Sequence, residues 1–251
     1  MHAIAVRSLR RAQPLLRPGN TTRAICAILV ATGAASRAQA VEFDASAALL
    51  TDYRSRGVSL SDRQPVADAS VQASLAGWFA GAEAVSTARP RDLRQDRGTD
   101  AEVDLSAGYS RQVGLFTPSA GVIAYIYPRH GPTEAEVFGS VAGSLGPATV
   151  TLGANYAPDQ AGVSGGNLYT YAKAAVGIPL TPVTIKASVG REKGAFDLGR
   201  TKIDYSAGVD YRISIVTIGV KYVGNDVPRN VAPFIRHATA DTVVGSVTLA
   251  F

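Results

Sequence analysis

Ten charged side chains recur at alternate positions of short segments: Glu102 and Asp104, Glu134 and Glu136, Lys186, Lys202, Asp204, Asp210, Arg212 and Lys221. On the inner face of a closed sheet, ladders of opposite sign would line a lumen, set a field across it and select solutes by charge. The same ten could instead pair with one another and plug the interior as a polar core. Arg54 and Arg56 flank Ser55 and precede Gly57. At the top of a first strand they would line the mouth, bind lipopolysaccharide phosphates or anchor a loop. Arg89, Arg91, Arg94 and Arg97 are interleaved with Asp92, Asp96 and Asp100, the pattern of a solvated loop rather than an anion trap.

Covalent and metal chemistry find less support. Beyond residue 40 the histidines are His130 and His237, both in polar connecting segments. A hydrolase needs a base within hydrogen-bond reach of its nucleophile, and no Gly-x-Ser-x-Gly motif singles one out. No His/Cys/Asp spacing suggests a metal, and no glycine-rich phosphate loop precedes a helix. The expectation is a non-enzyme with no catalytic residue, metal or cofactor.

The elements that would hold these residues begin beyond an export signal. Residues 1–40 carry six arginines and no acid, then the apolar run Ala24–Ala35, then the small-x-small triplet Ala38-Gln39-Ala40. This order is that of a secretory signal peptide, with cleavage expected between Ala40 and Val41. Cys26, the one cysteine, would leave with it, so the mature chain would reach an oxidising compartment without a disulfide framework. Removing those arginines from the formal charge of +5 leaves 19 basic and 20 acidic residues, a net charge of −1. The basic balance is therefore no argument for nucleic acid as a partner. With 46% hydrophobic and 18% charged residues the chain is not of disordered composition. No stretch approaches the roughly 18 apolar residues of a spanning helix.

From Val41 onward the apolar residues recur with period two. Ile203, Tyr205, Ala207, Val209 and Tyr211 share one face, with Lys202, Asp204, Ser206, Gly208, Asp210 and Arg212 on the other, as a pleated strand requires. Twelve such strands are expected, near 42–53, 65–75, 77–87, 101–112, 116–127, 133–145, 148–157, 167–178, 182–191, 201–212, 214–224 and 241–251. Their connections alternate between short turns and long polar loops. That alternation describes an all-β, antiparallel, up-and-down barrel of the outer-membrane type, with short turns facing the periplasm. Tyr53, Trp78, Tyr109, Phe116, Tyr125, Tyr127, Tyr156, Tyr205, Tyr211 and Tyr222 lie near strand ends, where interfacial girdles would place them. The last segment alternates up to the terminal Phe251, the expected signal to the barrel-assembly machinery.

The stretch Thr51–Val66, TDYRSRGVSLSDRQPV, resembles the first strand and loop of the TorF porin family of proteobacterial outer membranes. Further similar stretches are Gly77–Ser86, Glu102–Tyr109, Tyr125–Pro128, Asn155–Gln160 and Asp204–Tyr211, together covering most of the mature chain. The arginine-rich loop at 88–100 and the alanine-rich apolar faces depart from that family's pattern. The resemblance implies an outer-membrane barrel with a channel role; it supplies no substrate.

The sequence thus leads to a signal peptide at 1–40 and a barrel at 41–251 in a bacterial outer membrane, passing small hydrophilic solutes through a narrow charged lumen. Outer-membrane lipid and lipopolysaccharide are its expected surroundings. The competing reading is a non-conducting structural or adhesive barrel acting through its long loops.

Overall fold

A computed structural model describes residues 40–88, 99–128, 134–160 and 165–251; the side chains of 88, 99 and 100 are not described. The signal segment and Cys26, the arginine-rich stretch 89–98 and His130 lie outside the described residues.

Among the described residues fourteen strands and one helix follow in order: β1 (Glu42–Leu50), β2 (Arg54–Ser55), β3 (Val58–Ser59), β4 (Val66–Leu75), β5 (Trp78–Ala88), β6 (Thr99–Ser110), β7 (Phe116–Ile126), β8 (Glu134–Leu145), β9 (Ala148–Ala157), β10 (Asn167–Gly177), β11 (Val183–Gly194), β12 (Lys202–Ile213), β13 (Val216–Asn225), α1 (Pro233–Thr239) and β14 (Thr242–Ala250). All except β2 and β3 form one closed antiparallel barrel of twelve strands, in which each pairs with its sequence neighbour and β1 closes on β14. The twelve segments read from the alternation are these strands, with boundaries shifted by three residues or fewer. Closure gives every strand of the barrel two partners, so the barrel has no open edge that exposes backbone donors and acceptors.

Alternation fixes which face is which. On β12 the apolar residues Ile203, Tyr205, Val209 and Tyr211 are exposed on the outside, while Lys202 and Asp204 are buried within. Leu105, Val122, Leu152, Val189 and Val243 continue the same outward belt around the barrel. An apolar belt that runs around the whole barrel is rare on soluble domains and suits hydrocarbon. In a soluble sheet protein those side chains would form the core; here the buried apolar clusters lie inside the barrel, at its long-loop end.

Trp78 meets Tyr109 edge-on at 5.1 Å near the short turns, and Tyr205 stacks on Tyr222 at 6.3 Å near the long loops. These aromatics form the two girdles that the sequence anticipates. Three of the aromatics expected there do not belong: Tyr53 and Tyr125 are buried, and Tyr127 packs against the interior cluster of Ile123, Tyr125 and Phe138. Tyr125 shares the parity of Ser119 and Ile123, which point inward, whereas Tyr109 shares that of Val103 and Leu105, which point out.

The short turns are tight. Ala76 and Gly77 both take positive φ, the geometry that matches the twist of a two-residue hairpin. The last turn falls at Ser214-Ile215 rather than at Ile213, which remains in β12. Of the long connections, the one after β13 contains α1, and the one after β1 turns inward as the β2–β3 hairpin.

Candidate functional site

The site is the lumen, and the segment from Asp52 to Ser61 occupies its long-loop half. Asp52 is the hub that folds it: its Oδ2 accepts from Arg54 Nε at 2.6 Å, and its Oδ1 accepts from the hydroxyls of Ser59 and Ser61 at 2.6 and 3.0 Å. Ser61 Oγ accepts from the Tyr53 amide at 3.0 Å, and the Leu60 amide donates to Tyr53 O at 2.8 Å. The result is a hairpin compact enough to fit inside the barrel. Gly57, at its tip, has φ +82° and sits so close to β12 and β13 that an added Cβ would lie 2.9 Å from Asp204 Cβ and 3.1 Å from Gly224 O. Only glycine meets both demands. Asn225 Nδ2 donates to Gly57 O at 3.0 Å and holds the tip.

Arg54 and Arg56, expected either to line an open mouth or to anchor a loop, are both buried, at 4% and 6% exposure, so the mouth-lining reading gives way to the anchoring one. The correction has an electrostatic cause: the barrel wall offers Arg56 two carboxylates. Arg56 Nη2 donates to Glu136 Oε1 and Oε2 at 2.8 and 2.6 Å, and Nη1 donates to Glu192 Oε1 at 2.5 Å. Its guanidinium lies 4.4 Å from the centre of the Tyr169 ring, adding a cation–π contact. Burial works against the Arg56 charge, but Glu136 and Glu192 outweigh it and hold its pKa well above the ordinary arginine value. Glu192 also meets Lys202 at 2.7 Å, an ion pair off the line of a hydrogen bond, and accepts from Asn167 Nδ2 at 3.2 Å. Two cations and two anions thus neutralise one another in the interior, the condition under which buried charge is tolerated.

The remaining sequence candidates divide by depth. Glu102, Glu134, Glu136, Lys202 and Asp204 face inward and are buried. Tyr53 OH donates to Glu102 Oε1 at 3.2 Å, and Tyr169 OH donates to Asp204 Oδ1 at 3.1 Å. Asp104, Lys186, Asp210 and Lys221 also face inward and are only partly buried. Lys186 pairs with Asp210 across β11 and β12, with side chains 40% and 24% exposed. Arg212 has the same parity but lies exposed at the short-turn rim, its Nε donating to Ser214 O at 3.0 Å. Phe251 is exposed at that end, its amide bonded to Ala45 O at 2.9 Å.

Sequence reasoning missed Glu192, because the strand was ended at 191, three residues short of Gly194; the parity of Lys186, Ser188 and Gly190 points to it. It also passed over Tyr169 and Tyr171, which stack inside the barrel at 5.8 Å. Their rings lie over Gly190 and Gly153 of the neighbouring strands, where a Cβ would meet them at 2.1 and 2.4 Å.

Below the hairpin the wall changes character. Hydroxyl pairs bridge neighbouring strands: Ser46 with Ser70 at 2.7 Å, Ser188 with Ser206 at 2.8 Å, Ser144 with Thr149 at 3.2 Å. Arg56, Tyr169, Asp204, Ser188 and Ser206 line a cavity of about 70 Å³ between the hairpin and β10–β13, room for several waters. Such a wall can solvate an ion or a small polar solute on one side of the barrel and hold a fixed ion pair beside it.

A family model described as a bacterial protein of unknown function (Gcw_chp) matches residues 34–251. The fold is that of solved outer-membrane barrels. An outer membrane channel from Pseudomonas putida F1 aligns with TM-score 0.51 and 7% identity, over 83% of this chain and 94% of its own. A chain from a study of in-meso crystallization of membrane proteins aligns with TM-score 0.52 and 11% identity, over 83% of each. The outer membrane phospholipase A of Escherichia coli aligns with TM-score 0.48 and 10% identity, over 82% of this chain and 91% of its own. No curated protein matches the sequence.

Proposed function

The chain belongs to the Gcw_chp family of bacterial proteins of unknown function, and from that premise we propose that it is an outer-membrane channel for small hydrophilic solutes, narrowed by its own first loop. On this reading residues 1–40 are a signal peptide removed at Ala40, the short turns face the periplasm, and the likeness to TorF porins extends to activity. One observation carries it: in the short-turn half the inward face remains polar and open, with Lys186 and Asp210 partly exposed within the barrel rather than packed under apolar side chains. Solutes would enter past the β2–β3 hairpin, which sets the narrowest cross-section, and then follow a hydroxyl-lined wall. Selectivity is set where the hairpin approaches β10–β13, by the charges of Arg56 and the acids around it.

The second reading, a non-conducting structural barrel, draws on the buried network of Arg56, Glu136, Glu192 and Lys202, which seals the hairpin in place. A lipid-modifying enzyme is the weakest. His237 on α1 meets Asp62 at 3.3 Å, a contact that ties the helix to the hairpin's base.

The test is single-channel recording of the protein purified from outer membranes, in a planar bilayer under a salt gradient. Discrete conductance steps with a reversal potential support the channel. Stable insertion without conductance replaces it with the structural reading.

A further inference from the structure

The outward face of the barrel is almost free of charge. Along each strand the outward positions are Ala, Val, Leu, Ile, Gly, Pro, Ser, Thr or aromatic, and among the described residues only two within the strands carry charge: Arg191 and Lys193, both on β11 and both exposed. They follow Ile185, Ala187 and Val189 on the same face, so the strand runs apolar until it reaches the long-loop end and then becomes cationic twice in succession.

Their level is marked by neighbours. Val189 pairs with Tyr205, a member of the upper girdle, and Arg191 pairs with Thr170 on one side and Ile203 on the other. Lys193 pairs with Leu168. At about 3.4 Å per residue, Arg191 stands one outward step, roughly 7 Å, above the girdle level, and Lys193 another. Cations on a lipid-facing wall are costly at mid-membrane and cheap only at the interface, where their stems can lie against apolar neighbours and their heads reach the headgroups. Leu168 and Ile203 supply those neighbours, and no ion pair among the described residues involves either cation.

We propose that Arg191 and Lys193 form a binding site for the phosphate groups of an anionic lipid in the leaflet on the long-loop side. Two cations on alternate positions of one rigid strand present a doubly positive edge at headgroup depth, complementary to a phosphorylated lipid. The planar guanidinium can take two phosphate oxygens while the ammonium acts as a point charge. The inference rests on the membrane placement of the barrel and is independent of whether the lumen conducts.

The experiment is a titration of the detergent-purified protein with lipid A bearing both phosphates, followed by native mass spectrometry, alongside the same lipid after enzymatic dephosphorylation. The wild-type protein is expected to retain one lipid A. The double variant Arg191→Gln, Lys193→Gln should bind it roughly 30-fold more weakly, the effect of about two surface cations. The dephosphorylated lipid should bind the wild type as poorly as intact lipid A binds the variant. The exchange Arg191→Lys with Lys193→Arg should keep most of the affinity. If the double variant fails to fold, the comparison of the two lipids on the wild type still decides. Equal binding of both lipids overturns the proposal, as does undiminished binding to a folded double variant. Displacement of lipid A by millimolar inorganic phosphate would also overturn it, since the site would then read free phosphate rather than a headgroup.

Discussion

Arg56→Gln should loosen the hairpin, and the structure sets how far. The substitution removes three hydrogen bonds to carboxylates, at 2.8 and 2.6 Å to Glu136 and at 2.5 Å to Glu192. The two acids are not equally exposed to the loss. Glu192 keeps Lys202 at 2.7 Å and Asn167 at 3.2 Å, whereas Glu136 retains the Tyr125 hydroxyl at 3.3 Å as its hydrogen-bond donor. The uncompensated charge therefore falls on Glu136, which is 2% exposed. Stranding one member of a buried ion pair costs about 3–5 kcal/mol. If that cost is relieved by withdrawal of the hairpin, the ratio of inserted to withdrawn states shifts by roughly 150- to 5000-fold. In single-channel records the variant should show larger or longer-lived open steps than the wild type. Adding Glu136→Gln to the variant should restore much of the closed state, because neither partner then carries charge. Identical step sizes and open fractions in wild type and Arg56→Gln, with unchanged thermal unfolding, would refute the claim that this ion pair holds the hairpin in the lumen.

Gly57→Ala should act in the same direction by sterics, since φ +82° and the 2.9 Å approach to Asp204 together cost about 1–3 kcal/mol; faster amide exchange across 52–61 is the readout, and unchanged exchange would count against the fitted tip. Lys186→Glu places two acids where a lysine now pairs with Asp210, so the reversal potential should move toward cation preference, and a fixed potential in a conducting protein would remove this pair from the solute's path. Leu105→Arg puts a charge on the lipid face and should cost about 2–4 kcal/mol in barrel stability if it lies near the midplane, measured by urea titration in lipid vesicles. Ser106→Arg, one residue on and facing inward, should cost much less; equal costs would contradict the assigned faces.

The barrel was legible because its cause is local. Alternation of Val103, Leu105, Ala107 and Tyr109 against Glu102, Asp104, Ser106 and Gly108 is written residue by residue, and turn lengths give the topology. Which alternate face points in is decided only by what surrounds the closed sheet. The sequence left the ten charged residues between an open ladder and a paired interior, and the structure divides them: those near the long loops are buried, and Lys186 and Asp210 lie on a partly open wall. For Arg54 and Arg56 the sequence left mouth lining and loop anchoring open, because the choice between them depends on counter-charges it does not place. Those charges, Glu136 and Glu192, lie 80 and 136 residues away in sequence, too far for any local pattern to report.

The seam between β1 and β14 ties assembly to closure of the lumen. Its ladder spans five residue pairs, Ser46–Leu50 against Ser246–Ala250, while β1 meets β4 over nine. The first and last strands are the paired strands furthest apart in sequence, so the shortest ladder carries the largest loop-closure entropy. β1 leads directly into the hairpin through Thr51, Asp52 and Tyr53. The hairpin's wall contacts come from strands distributed around the ring, on β6, β8, β11 and β13. The curvature of the ring is what brings them together at the hairpin. The hairpin's two arginines therefore differ in what they ask of the barrel: Arg54 has its counter-charge, Asp52, within the hairpin itself, whereas Arg56 is neutralised only where the curved wall brings Glu136 of β8 and Glu192 of β11 to it.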